Sequence, residues 1–525
     1  MASTVLGVLF GLLAIFIANK WIAYRKALAR INYRPGPRLF VTPYSLLGFF
    51  VPRIPYISGG PSYFQILKYS EFEQAGSSAI GFASFLPASS RFCVADTEAI
   101  KQIANPKSAF KKLARDYRAL TRFGGNLVGA EGADWRRQRR ICAPAFSEKN
   151  NKLVWSTALG FTNDMIATWE KVSVIRVHDV CEDVTLPIAL CVIAKAGYGQ
   201  DVKWKDEEVP PTGHELTFKQ ALLTVSEKIY LPLLLPNWAW GLRESWRYVR
   251  KANDELRLYI QEMVVERREL QDMAARSLVE KKHDIFNQII QAHDNNEMLS
   301  EDELIGNAFV FLVAGHETTA NSLAIALSLL ALYPEEQAKL TQEIRAAQPE
   351  GRDFTYDDMP KIPYALAVLY ETLRLYPMAP VIPKYAAANT SLTVNTSVSH
   401  TAATIDIPES AQVSIMARGL HYNPQYWDDP FDFYPARFMS PDWNRDAFIP
   451  FSVGQRSCIG RRFAETTVVA ALAALLSKYS VSVDETRFKT ILHESAVDRR
   501  ERFFKFSYKI TPAPQKVALV FTPRA

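Results

Sequence analysis

The first nineteen residues carry no charged side chain, and Val5 to Ala18 is almost wholly apolar. Beyond them, apolar positions recur three and four apart over Trp155 to Glu170, Trp246 to Val279, Leu304 to Tyr333, Tyr364 to Tyr376 and Gly460 to Tyr479, a spacing that predicts helices. Strand patterns are short and clustered, at Phe92 to Ala95, Ser391 to Val394, Ala411 to Met416 and the C-terminal stretch Phe503 to Phe521. Polar breaks near Gln200 to Glu215, His293 to Met298 and Ala346 to Pro363 are loop-sized, and no repeat is visible. The pattern predicts one mainly α domain with a small β region.

One helix differs from the rest. Ser300-Glu301-Asp302-Glu303 has the form of a capping box, and Leu304 to Leu332 is apolar on nearly every face, so this helix should run through the middle of the protein. At its centre lies Ala314-Gly315-His316-Glu317-Thr318-Thr319. A glycine, a carboxylate and two hydroxyls are costly in a buried helix, and a local kink with carbonyls satisfied by hydroxyl or water would accommodate them. The apolar flanks point to a site rather than to a polar stripe on an exposed face.

The N-terminal run reaches about 28 Å as a helix, enough for the hydrocarbon core of a thin bilayer. A cleaved signal peptide would carry basic residues before its apolar run, whereas Lys20, Arg25, Lys26, Arg30 and Arg34 all follow it. That bias predicts a single-pass anchor over residues 1–24, with the bulk of the chain cytosolic and Trp21 and Tyr24 in the interfacial belt. Residues 25–40, with Arg34-Pro35-Gly36-Pro37, read as a basic, Pro-rich hinge, and residues 41–525 as the globular domain.

Composition narrows the class. With 525 residues, 48% hydrophobic and 22% charged, the chain is neither disordered nor low-complexity, and it lacks the many apolar runs of a polytopic membrane protein. A net charge of +6 is mild, so nucleic acid is not an expected partner. Five cysteines without C-x-x-C spacing fit neither a disulfide framework nor a zinc ribbon. The eight histidines show no H-x-x-x-H or H-E-x-x-H spacing.

Of the cysteines, Cys458 has informative neighbours. It lies in Phe451-Ser-Val-Gly454-Gln-Arg456-Ser-Cys458-Ile-Gly460, just before a helix whose N-terminal amides and dipole favour a thiolate. Glycines on both sides let the backbone curl under a flat ligand, and Arg456 can pair with an anionic group on it. This segment resembles the haem-binding loop of the cytochrome P450 family, matching at Phe451, Gly454, Arg456, Cys458 and Gly460. The resemblance implies the cytochrome P450 fold, haem b as cofactor and Cys458 as its axial thiolate ligand.

Further motifs follow in the family's order. Trp135-Arg-Arg-Gln-Arg139 resembles the W-x-x-x-R whose tryptophan and arginine bind a haem propionate, and i, i+4 spacing puts Trp135 and Arg139 on one face while Arg137 points away. Ala314 to Thr319 is similar to the family's oxygen-binding A-G-x-[DE]-T-[TS], which implies that Thr318 serves dioxygen and Glu317 relays protons. Glu371-Thr-Leu-Arg374 resembles the E-x-x-R that joins Arg437 of Pro435-Ala-Arg437-Phe438 in a structural ion-pair network. Two positions depart from the pattern. Lys384 stands where an arginine would meet a propionate, giving up the bidentate fork, and Ala436 replaces the glutamate of P-E-R-F.

The resemblance implies a haem-thiolate monooxygenase of the fungal microsomal type. It would sit in the endoplasmic reticulum membrane and oxidise a lipophilic substrate, a terpenoid or other specialised metabolite, with O2 and electrons from NADPH through cytochrome P450 reductase, with cytochrome b5 as a second donor. Arg136, Arg137 and Arg140 are the implied reductase-docking residues. Apolar stretches at Tyr117 to Val128, Ile229 to Leu242, Phe309 to Ala314 and Met378 to Ile382 would surround the substrate, and the second could also meet the bilayer surface. Three alternatives remain open: a sterol or fatty-acid hydroxylase of the same family, a reductase-independent isomerase or dehydratase, and a non-catalytic haem or lipid-binding protein.

Overall fold

A computed structural model describes residues 2–43, 45, 48, 50–60, 62–169, 172–200, 209–275, 284–296, 299–348, 352–395, 402–508 and 511–524. His283 and His400, part of each polar break and the end of the Trp246 to Val279 pattern lie outside the described residues. The chain divides into two compact units, one formed by Met1–Leu113, Arg374–Phe431 and Asp442–Cys458, the other by Ala114–Leu373, Asp432–Pro441 and Ile459–Ala525. No linker marks these boundaries, because one falls inside the helix Pro363–Leu375 and another immediately after Cys458.

The first unit opens with the helix Ala2–Arg30, whose apolar side chains from Val5 to Ile17 are all more than half exposed. Its segment Thr4–Arg30 has a mean hydropathy of 2.1 and is long and apolar enough to cross a membrane. The helix continues six residues beyond the boundary suggested by its charges. Ala27 and Ile31 are buried, and the chain then turns through Asn32 and Tyr33, both with φ 51. The Arg38 guanidinium fastens this turn by donating to the carbonyls of Gly36 at 3.2 Å and Pro37 at 3.1 Å, and also to those of Arg34 and Gly81. Residues 31–41 are therefore tied to the neighbouring strand.

The unit's main sheet has six strands in the order Arg38–Val41, Ala79–Leu86, Ser89–Val94, Gln412–Met416, Val381–Ala386 and Phe110–Lys112. Phe92, Cys93 and Val94 are all buried, which explains why this strand reads as an apolar run rather than as an alternation. Arg91 is buried among them because its fork is satisfied by Ser414 Oγ at 3.1 Å and Gln412 Oε1 at 3.0 Å, while its plane lies over the Phe64 ring. A second hairpin pairs Thr390–Asn395 with Ala402–Ile407. Beside it, the helix Thr97–Ala104 starts on Asp96, whose side chain accepts from the Ala99 amide at 2.8 Å.

The second unit is mostly helical. Glu301–Leu332 begins with the expected capping box, and from Gly306 to Leu332 all but three residues are buried. The helix is continuous through Ala314 to Thr319, so the polar cluster is accommodated without a break. Around it lie Gly132–Cys142, Glu148–Trp169, Glu244–Ala275, Pro334–Ala347 and Arg461–Lys478. The sequence pattern placed the start of Glu148–Trp169 at Trp155 because Glu148-Lys-Asn-Asn-Lys carries no apolar period, yet Asn150 and Asn151 are buried there by hydrogen bonding. The C-terminal stretch resolves into the helix Ala496–Phe503, a short hairpin of Phe506–Tyr508 with Pro512–Pro514, and Leu519–Pro523 paired between Tyr479–Val483 and Ile175–Val177.

Candidate haem and oxygen site

The candidate residues fall in both units. In the first, the chain from Phe448 to Cys458 folds into a tight loop: the Ser452 amide donates to the Ile449 carbonyl at 3.0 Å, Ser457 to Gly454 at 3.1 Å, and Cys458 to Phe451 at 2.8 Å. Gly454 sits at φ +67, and a Cβ there would lie 3.1 Å from the Ala104 carbonyl oxygen, so backbone conformation and close approach both demand glycine. Gly460, at φ −91, is the N-cap of Arg461–Lys478, and among protein atoms a Cβ there would touch Phe146 at 3.6 Å. Of the five cysteines, Cys458 alone is exposed. Burial pushes the thiols of Cys93, Cys142 and Cys181 up to about 12, which keeps them protonated and inert.

A histidine that the motifs did not single out anchors this loop. His421 is fully buried, with Nδ1 3.1 Å from the Arg374 carbonyl and Nε2 accepting from the Ile449 amide at 3.0 Å. One nitrogen faces an acceptor and the other a donor, which fixes a single neutral tautomer. Arg374, also buried, donates to the carbonyls of His421 at 2.9 Å and Pro430 at 2.7 Å and lies over the rings of Tyr422 and Trp427. The E-x-x-R arginine is thereby linked through His421 to the cysteine loop. No spacing rule could have found His421, because its partners are backbone groups far away in sequence.

In the second unit, Glu371 is fully buried and accepts from Arg437 Nε at 3.2 Å and from the Tyr434 amide at 2.9 Å. Glu371 and Arg437 thus meet as the family pattern implies, although Ala436 offers no carboxylate between them. Lys384, the other departure, sits half-buried on Val381–Ala386 in register with Val413 and Lys112.

The helix Gly132–Cys142 carries a buried Trp135 and a half-buried Arg139 on one face, an indole N–H and a guanidinium of the kind that suits an anion such as a propionate. Arg137 is committed elsewhere. Its two terminal nitrogens grip Glu303 at 2.6 and 2.8 Å, and Gln138 donates to the same carboxylate at 2.9 Å. These bonds, led by that to Arg137, hold the Glu303 carboxyl below its ordinary range. Arg137 therefore joins two helices, while Arg136 and Arg140 are exposed.

Along the middle of Glu301–Leu332 the residues that keep accessible surface are Ala314, Gly315 and Thr318, one stripe at i, i+1 and i+4. Thr318 Oγ1 donates to the Ala314 carbonyl at 2.8 Å, the hydroxyl back-bond anticipated for this cluster. Gly315 is needed for packing, since a Cβ would lie 2.9 Å from Ile193 Cδ1. His316 faces the other way, with Nδ1 2.7 Å from the Leu312 carbonyl, and burial lowers its pKa to about 4. Glu317 is buried, its Oε1 held by the Thr511 hydroxyl at 2.7 Å and amide at 3.2 Å. Thr511 gave no sequence signal. Near the start of the helix, Phe123 and Phe309 stack with centroids 4.0 Å apart, an aromatic pair from two of the expected substrate stretches. Of Ile229 to Leu242, Ile229, Ala239 and Trp240 are buried, whereas Trp238 and Leu242 are 75% and 65% exposed.

Within each unit the side chains suit part of what a haem requires: in the first, an exposed thiol in a glycine-bent loop, and in the second, an indole and a guanidinium of the kind that suits a propionate and an accessible small-residue and hydroxyl stripe in an otherwise buried helix. No group of three or more metal-ligating side chains competes for a metal among the described residues.

Comparison with known proteins agrees. Residues 82–506 match the family profile described as Cytochrome P450. The chain is 38% identical over 525 residues, 98% of each chain, to Cytochrome P450 monooxygenase 124 of Postia placenta. It is 28% identical over 392 residues, 73% of this chain and 78% of the relative, to Cyclooctat-9-en-7-ol 5-monooxygenase of Streptomyces melanosporofaciens. The crystal structure of the cytochrome P450DA heme domain superposes with a TM-score of 0.72 over 94% of this chain and 99% of that one, at 21% identity, which shows the shared fold. With its mainly α fold, its haem cofactor held through a cysteine thiolate and its oxidoreductase chemistry, the chain belongs to the cytochrome P450 family of monooxygenases.

Proposed function

We propose that Cys458 is the axial haem ligand of a membrane-anchored monooxygenase that oxidises a lipophilic specialised metabolite, a terpenoid being the favoured class, with electrons from NADPH through cytochrome P450 reductase. Cytochrome b5 is proposed as a second donor and the endoplasmic reticulum membrane as the location. The observation that carries the assignment is the contrast among the cysteines: four are buried, and Cys458 is exposed in a loop that Gly454 can turn only in left-handed backbone. The substrate class is supported by the apolar lining candidates Phe123 and Phe309 and by the Streptomyces relative, which is named for the alcohol cyclooctat-9-en-7-ol.

Haem, when bound, supplies the activation of dioxygen; the chain supplies the surroundings. The loop bonds from Cys458 to Phe451 and from Ser457 to Gly454 fix the backbone that carries the sulfur. Trp135, Arg139, Arg456 and Lys384 are the proposed propionate partners, and Phe451, Gly454 and Gly460 the supporting backbone. Thr318 presents a hydroxyl on the accessible stripe, and Glu317 is the carboxylate through which protons reach it. The helix Thr4–Arg30 is the proposed anchor, and the exposed apolar Trp238 and Leu242 are proposed as a further membrane contact.

Turnover of purified protein with reductase and NADPH across a panel of terpenoids, sterols and fatty acids tests this reading. A terpenoid product with matching O2 consumption is expected. Products confined to sterols or fatty acids would move the substrate class, and hydroperoxide rearrangement without reductase would replace the monooxygenase assignment by the isomerase reading.

A further inference from the structure

Glu317 is the end of a chain of hydrogen bonds that the family motif does not contain. The Thr511 hydroxyl donates to its Oε1 at 2.7 Å and the Thr511 amide to the same oxygen at 3.2 Å. Asn321, one turn further along the helix, donates from Nδ2 to Thr511 Oγ1 at 2.8 Å. The Cys181 thiol in turn donates to Asn321 Oδ1 at 3.3 Å. All four side chains are buried.

The direction of these bonds is determined. A threonine hydroxyl has one proton, and because Asn321 fills a lone pair on Oγ1, that proton is left to point at Glu317. A thiol donates only while protonated, and burial, reinforced by Asp179, pushes Cys181 up to about 12. Every donor therefore runs from Cys181 toward the carboxylate. Cys181 opens a single π-helical turn, Cys181–Thr185, and the Thr185 hydroxyl binds that turn to the central helix through the Ala320 carbonyl at 2.9 Å. The other titratable groups bearing on the cluster are Asp179 and Glu182 beside Cys181 and, on the central helix, His316, which is turned to the Leu312 carbonyl.

We propose that Thr511 is a positioning residue for Glu317: its hydroxyl and amide hold the carboxylate ionised in one rotamer, and Asn321 and Cys181 aim the hydroxyl proton that does so. The catalytic part of this inference rests on the reading of Glu317 as the proton carrier. Hydrogen bonds to the charged form lower a carboxylate's proton affinity, so the hairpin residue sets the pH at which Glu317 takes up a proton. Thr511 directly precedes the strand Pro512–Pro514, so a displacement of that hairpin alters proton supply at the central helix.

The test uses the haem-loaded, full-length protein. Glu317 protonation is read directly as the carboxylic acid carbonyl band in infrared difference spectra, identified by its loss in Glu317→Gln. Thr511→Val should move the midpoint of that band upward by about one to two pH units, and Thr511→Ser should restore it. Asn321→Ala should move it in the same direction by less. The acid limb of kcat should follow the band while KM stays constant, and Thr511→Val should have no further effect in the Glu317→Gln background. An unmoved midpoint in a folded Thr511→Val or Asn321→Ala protein would overturn the inference. Full coupling of NADPH to product in Glu317→Gln would instead remove the proton-carrier reading and the catalytic part with it, while the infrared midpoint still decides whether Thr511 positions the carboxylate.

Discussion

At Cys458 the account depends on one sulfur atom and the loop that aims it. Replacing it by alanine should leave the secondary structure intact and remove the thiolate-type absorption band of the reduced carbon monoxide complex; persistence of that band would assign the ligand elsewhere. Glu371 is a different kind of residue, fully buried with Arg437 and the Tyr434 amide on one oxygen. Glu371→Ala removes a fully buried carboxylate from its pair with Arg437, a loss of about 3–5 kcal/mol, so haem content and thermal midpoint should fall together. Cysteine, Glu371 and Arg437 were legible because their neighbours form local patterns. His421 and Thr511 were not, because each acts on atoms from distant segments: the Ile449 amide and Arg374 carbonyl for the first, the Glu317 carboxylate for the second. Arg137 shows the converse. Its spacing placed it off the Trp135 face, but only packing reveals that Glu303 lies there to receive it.

Among the elements, the central helix was the most legible, since both its cap and its all-round apolar character are local signals. How it absorbs its polar residues was half visible: hydroxyl back-bonding from Thr318 to Ala314 is present, while the helix remains continuous. His316 makes a prediction at this scale. Burial lowers its pKa from 6.5 to about 4, so the folded protein keeps the ring neutral while the unfolded chain protonates it first. Its share of stability is complete above pH 6.5 and declines as pH falls toward 4, a loss of about 3 kcal/mol. Denaturant unfolding at pH 7 and pH 4.5 should show this decline in the wild type and a shallower one in His316→Phe; equal slopes would refute it. The sheet strands Ala79–Leu86 and Val381–Ala386 escaped notice because neither shows the alternation of a half-buried strand, the first being buried on both faces and the second half-buried throughout.

For the whole molecule, the order of motifs along the chain carried the family, and the proposal of an anchor followed from charge asymmetry. The division into two units did not, because the chain passes between them within helices and loops rather than through linkers. Removing residues 1–24 should release the protein from membranes while leaving the haem spectrum unchanged, as sedimentation with vesicles would show; retention on the vesicles would transfer the membrane contact to surface residues such as Trp238 and Leu242. The central claim, that this chain inserts one atom of dioxygen into a lipophilic molecule, is tested most directly by turnover with reductase and NADPH under isotopically heavy O2. The account predicts one heavy oxygen atom in the product for each NADPH consumed in a coupled cycle. A product whose new oxygen comes from water, or one formed equally well without reductase, would contradict it.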